Sequence, residues 1–157
     1  MLYDLRKFNK NDVLDLYHAL HDKRIIKHMA TNGITKKTCE CIIKDAMGHW
    51  DKYGYGSWAV IDQKTKRMVG WAGFKLWKED EIELLCVLKP TYWGIGKSIL
   101  YDLIKYAKNE IRLNRIFILL PHTRKSFKAI QKYGFVCCGE EVFNKEKFKK
   151  FKLGLCG

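Results

Sequence analysis

Acidic residues are scarce in this chain: 17 Asp and Glu stand against 30 Lys and Arg among 157 residues, a formal charge of +13. That imbalance favours encounters with phosphate-rich or acidic partners without identifying one. Proline is rarer still, at two residues. With no low-complexity tract either, a disordered or fibrous chain is excluded. No run approaches the roughly 18 uncharged apolar residues that a membrane-crossing helix needs. The charged Met1–Lys10 segment lacks the apolar region of a secretory signal, so a cytoplasmic protein without membrane contact is expected. Cys-x-x-Cys spacing is absent among Cys39, Cys41, Cys86, Cys137, Cys138 and Cys156. Their apolar neighbours imply reduced, buried thiols rather than a disulfide framework or a zinc site. His18 and His21 can share a helical face, but no third ligand accompanies them and no metal site is expected.

What is present suits one domain over residues 1–157. Apolar residues make up 47% of the chain, and a chain of this length buries about 70% of its unfolded surface. Val13, Leu16, Tyr17 and Leu20 after Asn11, and Ile42, Ile43, Ala46, Met47 and Trp50 after the cap Thr35, predict two amphipathic helices in the N-terminal third. Trp58–Asp62 and Met68–Phe74 flank a polar turn as a hairpin would. Glu81–Leu88 is a third strand, nearly continuously apolar from Leu84 as a central strand is. Pro90 ends it, and Thr91–Ser98 reads as a glycine-bearing turn. A periodic helix follows, with Ile99, Leu100, Leu103, Ile104, Ala107 and Ile111 on one side. Arg115–Leu120 is another buried strand, Ser126–Tyr133 a short helix closed by Gly134, and Phe135–Val142 and Phe148–Leu155 the last strands. The sum is an α/β (α+β) domain: a mixed, mostly antiparallel sheet with about four helices.

The most informative segment is Trp93-Gly94-Ile95-Gly96-Lys97-Ser98, between a buried strand and a helix. There, backbone N–H groups and the positive end of the helix dipole can hold a phosphate. It fits neither the Walker nor the Rossmann pattern, and an ordinary glycine turn stays open on these residues alone. The phrase Pro90 to Gly96, together with Thr123-Arg124-Lys125-Ser126 and Lys132-Tyr133-Gly134-Phe135, resembles the GNAT superfamily of acyl-CoA-dependent N-acetyltransferases, within it most the RimJ/RimL branch. The resemblance spans essentially the whole chain, Gly70 and the closing strands included.

What the resemblance implies is an acetyl-CoA-dependent N-acetyltransferase. It would move an acetyl group to a primary amine, of a protein N-terminus or of a small molecule, by direct attack in a ternary complex. Acetyl-CoA would be held by Trp93, Gly94, Ile95, Gly96, Lys97 and Ser98, by the strand residues Cys86, Val87 and Leu88 along its pantetheine arm, and by Thr123 and Ser126. Capping of the following helix by Thr123 or Ser126 is compatible with that role. Amide formation needs a neutral amine. Glu83 holds the position where many relatives carry the base, with Glu81 offering the same chemistry on the same strand face. Many relatives protonate the leaving thiolate with a Tyr where this chain has Ile130. Ser126 or Tyr133 are substitutes, or the thiolate leaves unassisted.

Other readings of the same fold are a noncatalytic nucleic-acid or ribosome-binding module and an acyl-CoA sensor. For the first, Lys145, Lys147, Lys149, Lys150 and Lys152 lie beside Phe148 and Phe151. The alternation of Phe151, Leu153 and Leu155 with Lys150, Lys152 and Gly154 otherwise describes a strand with one solvated face. The acidic run Glu79, Asp80, Glu81 and Glu83 stands as the physical case for a small cationic acceptor against the field of the whole chain. Oligomeric state is not legible.

Overall fold

The computed structural model describes residues 2–26, 34–143 and 145–155. Seven strands form one sheet in the order β1 (Tyr3–Arg6), β2 (Ser57–Asp62), β3 (Met68–Lys78), β4 (Glu81–Leu88), β5 (Arg115–Pro121), β7 (Glu146–Gly154) and β6 (Val136–Phe143). Every neighbouring pair is antiparallel except β4 and β5, which run parallel. The helices are α1 (Val13–Leu20), α2 (Lys23–Ile26), α3 (Lys36–Tyr53), α4 (Gly96–Asn109) and α5 (Lys128–Lys132). The mixed, mostly antiparallel sheet is the one expected. Two of the helices are single turns.

Sequence chemistry sets the boundaries. Thr35 caps α3 by accepting the Thr38 N–H, and Gly54 closes it in the left-handed conformation. The first helix begins at Val13, after Asn11 as expected, and a short turn leads into it. Asn9 and Asp12 form a reciprocal capping box around a 3-10 turn at Lys10–Asp12, and α1 continues from it. Leu16, Leu20, Cys39, Ile43 and Ala46 from α1 and α3 cover one sheet face over Ala59, Ile61 and Met68. Ile99, Leu100, Leu103 and Ala107 of α4 cover the other over Leu84, Leu88, Ile116 and Ile118. Each fully buried Ile or Leu there contributes about 1.5–3 kcal/mol of transfer free energy.

One strand was not anticipated, and three expectations are corrected. The chain opens with a strand, because Tyr3 and Leu5 alternate with exposed Asp4 and Arg6 along the edge of β2. The Thr91–Ser98 turn is a 3-10 turn at Pro90–Ile95, with Gly96, Lys97 and Ser98 already in the first turn of α4. Helix α5 starts at Lys128, two residues beyond Ser126. Of the cysteines, all free, Cys39 is buried and Cys86 half-buried, whereas Cys41, Cys137 and Cys138 are exposed because they lie on the outer side of α3 and on the edge strand β6. Cys156 lies outside the described residues.

Candidate active site

The parallel seam is short. Glu83 pairs with Phe117, and this is the single register pair joining β4 to β5, although β4 continues to Leu88 and β5 to Pro121. The strands therefore part toward their C-terminal ends. Lys89 N–H donates to Val69 O on β3, and backbone groups alternate sides along a strand, so Val87 and Leu85 also face β3. Cys86 and Leu88 turn theirs into the opening. Of the three residues expected along the pantetheine arm, Cys86 and Leu88 present backbone groups to the opening, and Val87 faces β3. An extended amide chain laid in such an opening meets the groups an added strand would meet.

Glu83 sits at the closed end of this opening, on the sheet face opposite α4. Its neighbour is Trp77. Register slips between Leu76 and Lys78, making Trp77 the extra residue of a β-bulge in β3. Trp77 follows Lys75, which stands opposite Glu83, by two residues, so its indole lies on the Glu83 face, where Nε1 donates to Glu83 Oε1 at 3.1 Å. The ring packs edge-on against Phe117 and Phe143, with centroids 5.2 and 5.5 Å away. Burial pushes the Glu83 carboxyl above its ordinary value, and the Trp77 bond and nearby Lys75 only partly oppose this. A carboxylate so placed accepts a proton more readily than one in water, as a general base must.

Glu81, the other candidate base, is committed elsewhere. Both of its oxygens lie 3.4 Å from Lys150 Nζ, and Lys152 Nζ is 3.9 Å from Oε1. Lys150 is 9% exposed, and its ammonium also lies 4.4 Å from the Phe117 ring centroid. The β7 lysines alternate with Phe151 as expected, but their face is not simply solvated: the neighbouring strands bury Lys150 against Glu81. Asp80 pairs with Arg115 at 2.9 Å. Within the acidic run Asp80 and Glu81 are thus paired with cations, and Glu83 has an indole for a partner.

At the mouth of the opening, Trp93 is 48% exposed and its indole donates to Leu88 O at 3.0 Å, fixing the turn to the end of β4. Tyr92 donates to Asp62 Oδ2 at 2.8 Å and ties the same turn to the β2–β3 connection. No side chain caps α4. Gly96 has ordinary helical angles, and a methyl group there would meet nothing nearer than Leu88 Cδ1 at 3.8 Å. The chain's own packing does not demand glycine at this place; a ligand lying close against the backbone would. The uncapped helix end, the open glycines and the backbone groups that Cys86 and Leu88 turn into the opening fit the pyrophosphate and pantetheine of acetyl-CoA.

Across the mouth, Thr123 and Ser126 are exposed in the loop before α5. Ser126 Oγ accepts the Lys128 N–H at 3.3 Å in a local turn, but Phe127 holds the cap position of α5 and no side chain caps the helix, so the capping expected of Thr123 or Ser126 is not made. Ile130 is buried in the α4-side core. Tyr133 reaches instead to Lys97 O, at 3.4 Å, joining α5 to the first turn of α4. Sequence reasoning missed Trp77, Phe143 and the Lys150–Glu81 pair. The one available signal for Trp77 was the break in alternation at Leu76-Trp77, two large apolar residues in succession. No helix among the described residues is long and apolar enough to cross a membrane.

A family model described as the Acetyltransferase (GNAT) domain matches residues 4–136. Among solved structures, a GNAT-family acetyltransferase from Bacillus anthracis superposes with a TM-score of 0.75 at 19% identity, covering 97% of this chain and 93% of that one. A ribosomal-protein-S5-alanine acetyltransferase from Vibrio fischeri gives a TM-score of 0.79 at 15% identity over 97% and 92% of the two chains. The spermidine N-acetyltransferase of Vibrio cholerae, solved with CoA and spermine, gives 0.77 at 14% identity over 98% and 95%. At these identities the superpositions bear on the fold. With the family model spanning most of the sequence and the parted strands present to receive its co-substrate, the chain belongs to the GNAT acetyltransferase family and is an acetyl-CoA-dependent N-acetyltransferase.

Proposed function

We propose that residues 1–157 form one catalytic domain in which Glu83 is the general base for direct attack of a primary amine on acetyl-CoA in a ternary complex. The observation that carries this reading is the placement of Glu83: half-buried, raised in pKa and, among the described residues, hydrogen-bonded to an indole, where β4 and β5 begin to part. Acetyl-CoA supplies the activated thioester. Backbone groups of Cys86 and Leu88 would align its pantetheine arm, and the Trp93–Ser98 segment, with the Thr123–Ser126 loop opposite, would hold its phosphates. Glu83 takes the ammonium proton so that the amine lone pair is available. No acid stands at Ile130. Ser126 is the candidate donor to the leaving thiolate, with Tyr133 second, and a thiol is acidic enough to leave with little help.

For the acceptor we favour a protein amine in an anionic setting, in keeping with a RimJ/RimL-type enzyme acting in the cytoplasm and meeting its acceptor on or near the ribosome. The support is electrostatic: the chain carries +13, and within the acidic run that would attract a polycation Asp80 is paired with Arg115 and Glu81 with Lys150 and Lys152. Similarity to a ribosomal-protein-S5-alanine acetyltransferase agrees with this reading. Similarity to a spermidine N-acetyltransferase supports the second, a small cationic amine. A panel of acidic, neutral and basic peptides and polyamines, assayed with acetyl-CoA by free-thiol release, separates them. Acidic peptides leading the panel is the expected result; polyamines leading would overturn the protein-acceptor reading.

A further inference from the structure

We infer that Trp77 is a positioning residue for the reaction: its indole N–H, on the Glu83 face of β3, donates to Glu83 Oε1, so that Oε2 is the oxygen presented to the acceptor's proton. The inference rests on Glu83 being the base. Its geometry is specific. Trp77 shares the Glu83 face by alternation from Lys75, and the bulge sets Lys78 rather than Trp77 in register with Glu81, so the indole is not held opposite Glu81. The bulge is itself held, because His49 Nε2 on α3 accepts the Leu76 N–H at 3.0 Å while Nδ1 bonds to Tyr55 O at 2.7 Å. The Phe117 and Phe143 rings then fix the indole plane, so the donor is set before any acceptor arrives.

The charges around Glu83 do not duplicate this function. From β3, Lys75 is in register with Glu83 and exposed. On β4 itself Glu81 is engaged by Lys150 and Lys152 of β7, and Asp80 by Arg115 of β5. Phe117 from β5 and Phe143 from β6 bring no charge, and His49 from α3 is used by the bulge. Trp77 is the group that bonds to the carboxylate among the described residues. A half-buried carboxylate without that bond would hold its proton to higher pH, and fewer molecules would carry a competent base at neutrality.

The test is Trp77→Phe, which keeps a ring between Phe117 and Phe143 and removes the N–H. Two quantities are followed: the acidic limb of kcat/KM for an amine acceptor at saturating acetyl-CoA, and the Glu83 carboxyl titration by 13C NMR, assigned by its loss in Glu83→Gln. Both are expected to move to higher pH together. At pH values below the limb, kcat/KM is expected to fall about tenfold for each pH unit the limb moves, and to recover above it. Acetyl-CoA affinity is expected to stay at the wild-type value. An unmoved NMR titration overturns the inference, and so does a moved titration with an unmoved kinetic limb. A uniform rate loss at every pH marks a packing role alone and overturns it as well. If Glu83→Gln keeps the wild-type rate, the base assignment fails on its own variant, and the inference falls with it. Should Trp77→Phe not fold, a 3-benzothienylalanine at position 77, which has the indole's shape without its N–H, carries the same two readouts.

Discussion

Glu81 faces an ammonium at 3.4 Å and Glu83 an indole N–H at 3.1 Å, so neutralising each is expected to have a different consequence. Glu81→Gln leaves Lys150 buried with a weakened partner. It is expected to cost about 1–3 kcal/mol of stability, read as a lower urea midpoint, with turnover near wild type. Glu83→Gln keeps an acceptor for Trp77 but loses the base. Turnover is expected to fall by about 10² to 10⁴ at neutral pH with partial recovery at high pH, and acetyl-CoA binding to survive. The pH dependence of stability gives an independent check. Because the folded carboxyl of Glu83 is raised above its ordinary 4.5, its contribution is fully present below that value and is lost as pH rises through the folded pKa. Glu83→Gln is therefore expected to melt at or above wild type at pH 8 and to show the weaker decline with pH. A variant that melts lower there, or turns over normally, removes Glu83 from the role.

At the scale of elements, the turn and first helical residues after β4 are shaped more for a ligand than for the fold. The contrast with Gly70 makes this visible. A methyl group at Gly70 would lie 2.4 Å from Val87 O, so that glycine is required where β3 crosses β4. Gly96, in the first turn of α4, has ample room. Gly96→Ala is thus expected to fold with unchanged or slightly raised Tm, since alanine is the better helix former by up to about 1 kcal/mol. The rise in Tm that acetyl-CoA gives the wild type is expected to shrink in this variant. Differential scanning fluorimetry with and without acetyl-CoA checks both halves, and an undiminished rise would place the pyrophosphate elsewhere. Elements with strong internal periodicity, α3, α4, β4 and β5, were legible from sequence nearly to their ends. The β3 bulge was not, because one extra residue changes no local propensity. Nor was β1, whose four residues carry two apolar side chains and gain their pairing from a strand more than fifty positions away.

At the scale of the whole molecule, the +13 charge remains largely exposed, while the one buried lysine among the described residues is neutralised by Glu81, 69 residues away in sequence. A separation of that size explains why Glu81 reads as unpaired in the sequence although the fold sets it against lysines of β7. Steering of an acidic acceptor by this field is expected to make kcat/KM fall as salt rises, with a weaker response in kcat. A salt-independent kcat/KM for the best acidic peptide would show that the field has no part in recognition. The glycine-bearing segment after β4 was legible because glycine spacing after a buried strand is a local signal. The surroundings of Glu83 were not, since Trp77, Phe117, Phe143 and Lys150 converge from four strands.

The short parallel seam divides the sheet into two antiparallel halves, β1 to β4 and β5 to β6, that share one register pair and the crossover through α4. A co-substrate bonded along β4 would then act as a temporary strand, lending the sheet continuity that the polypeptide does not supply. Deuterium uptake makes this measurable. The amides of Cys86 and Leu88 are expected to exchange quickly in the free protein and slowly with acetyl-CoA bound, while those of Leu85 and Val87, already facing β3, change little. Such alternate-residue protection along one strand would be the imprint of a backbone ladder completed by a molecule that is not protein.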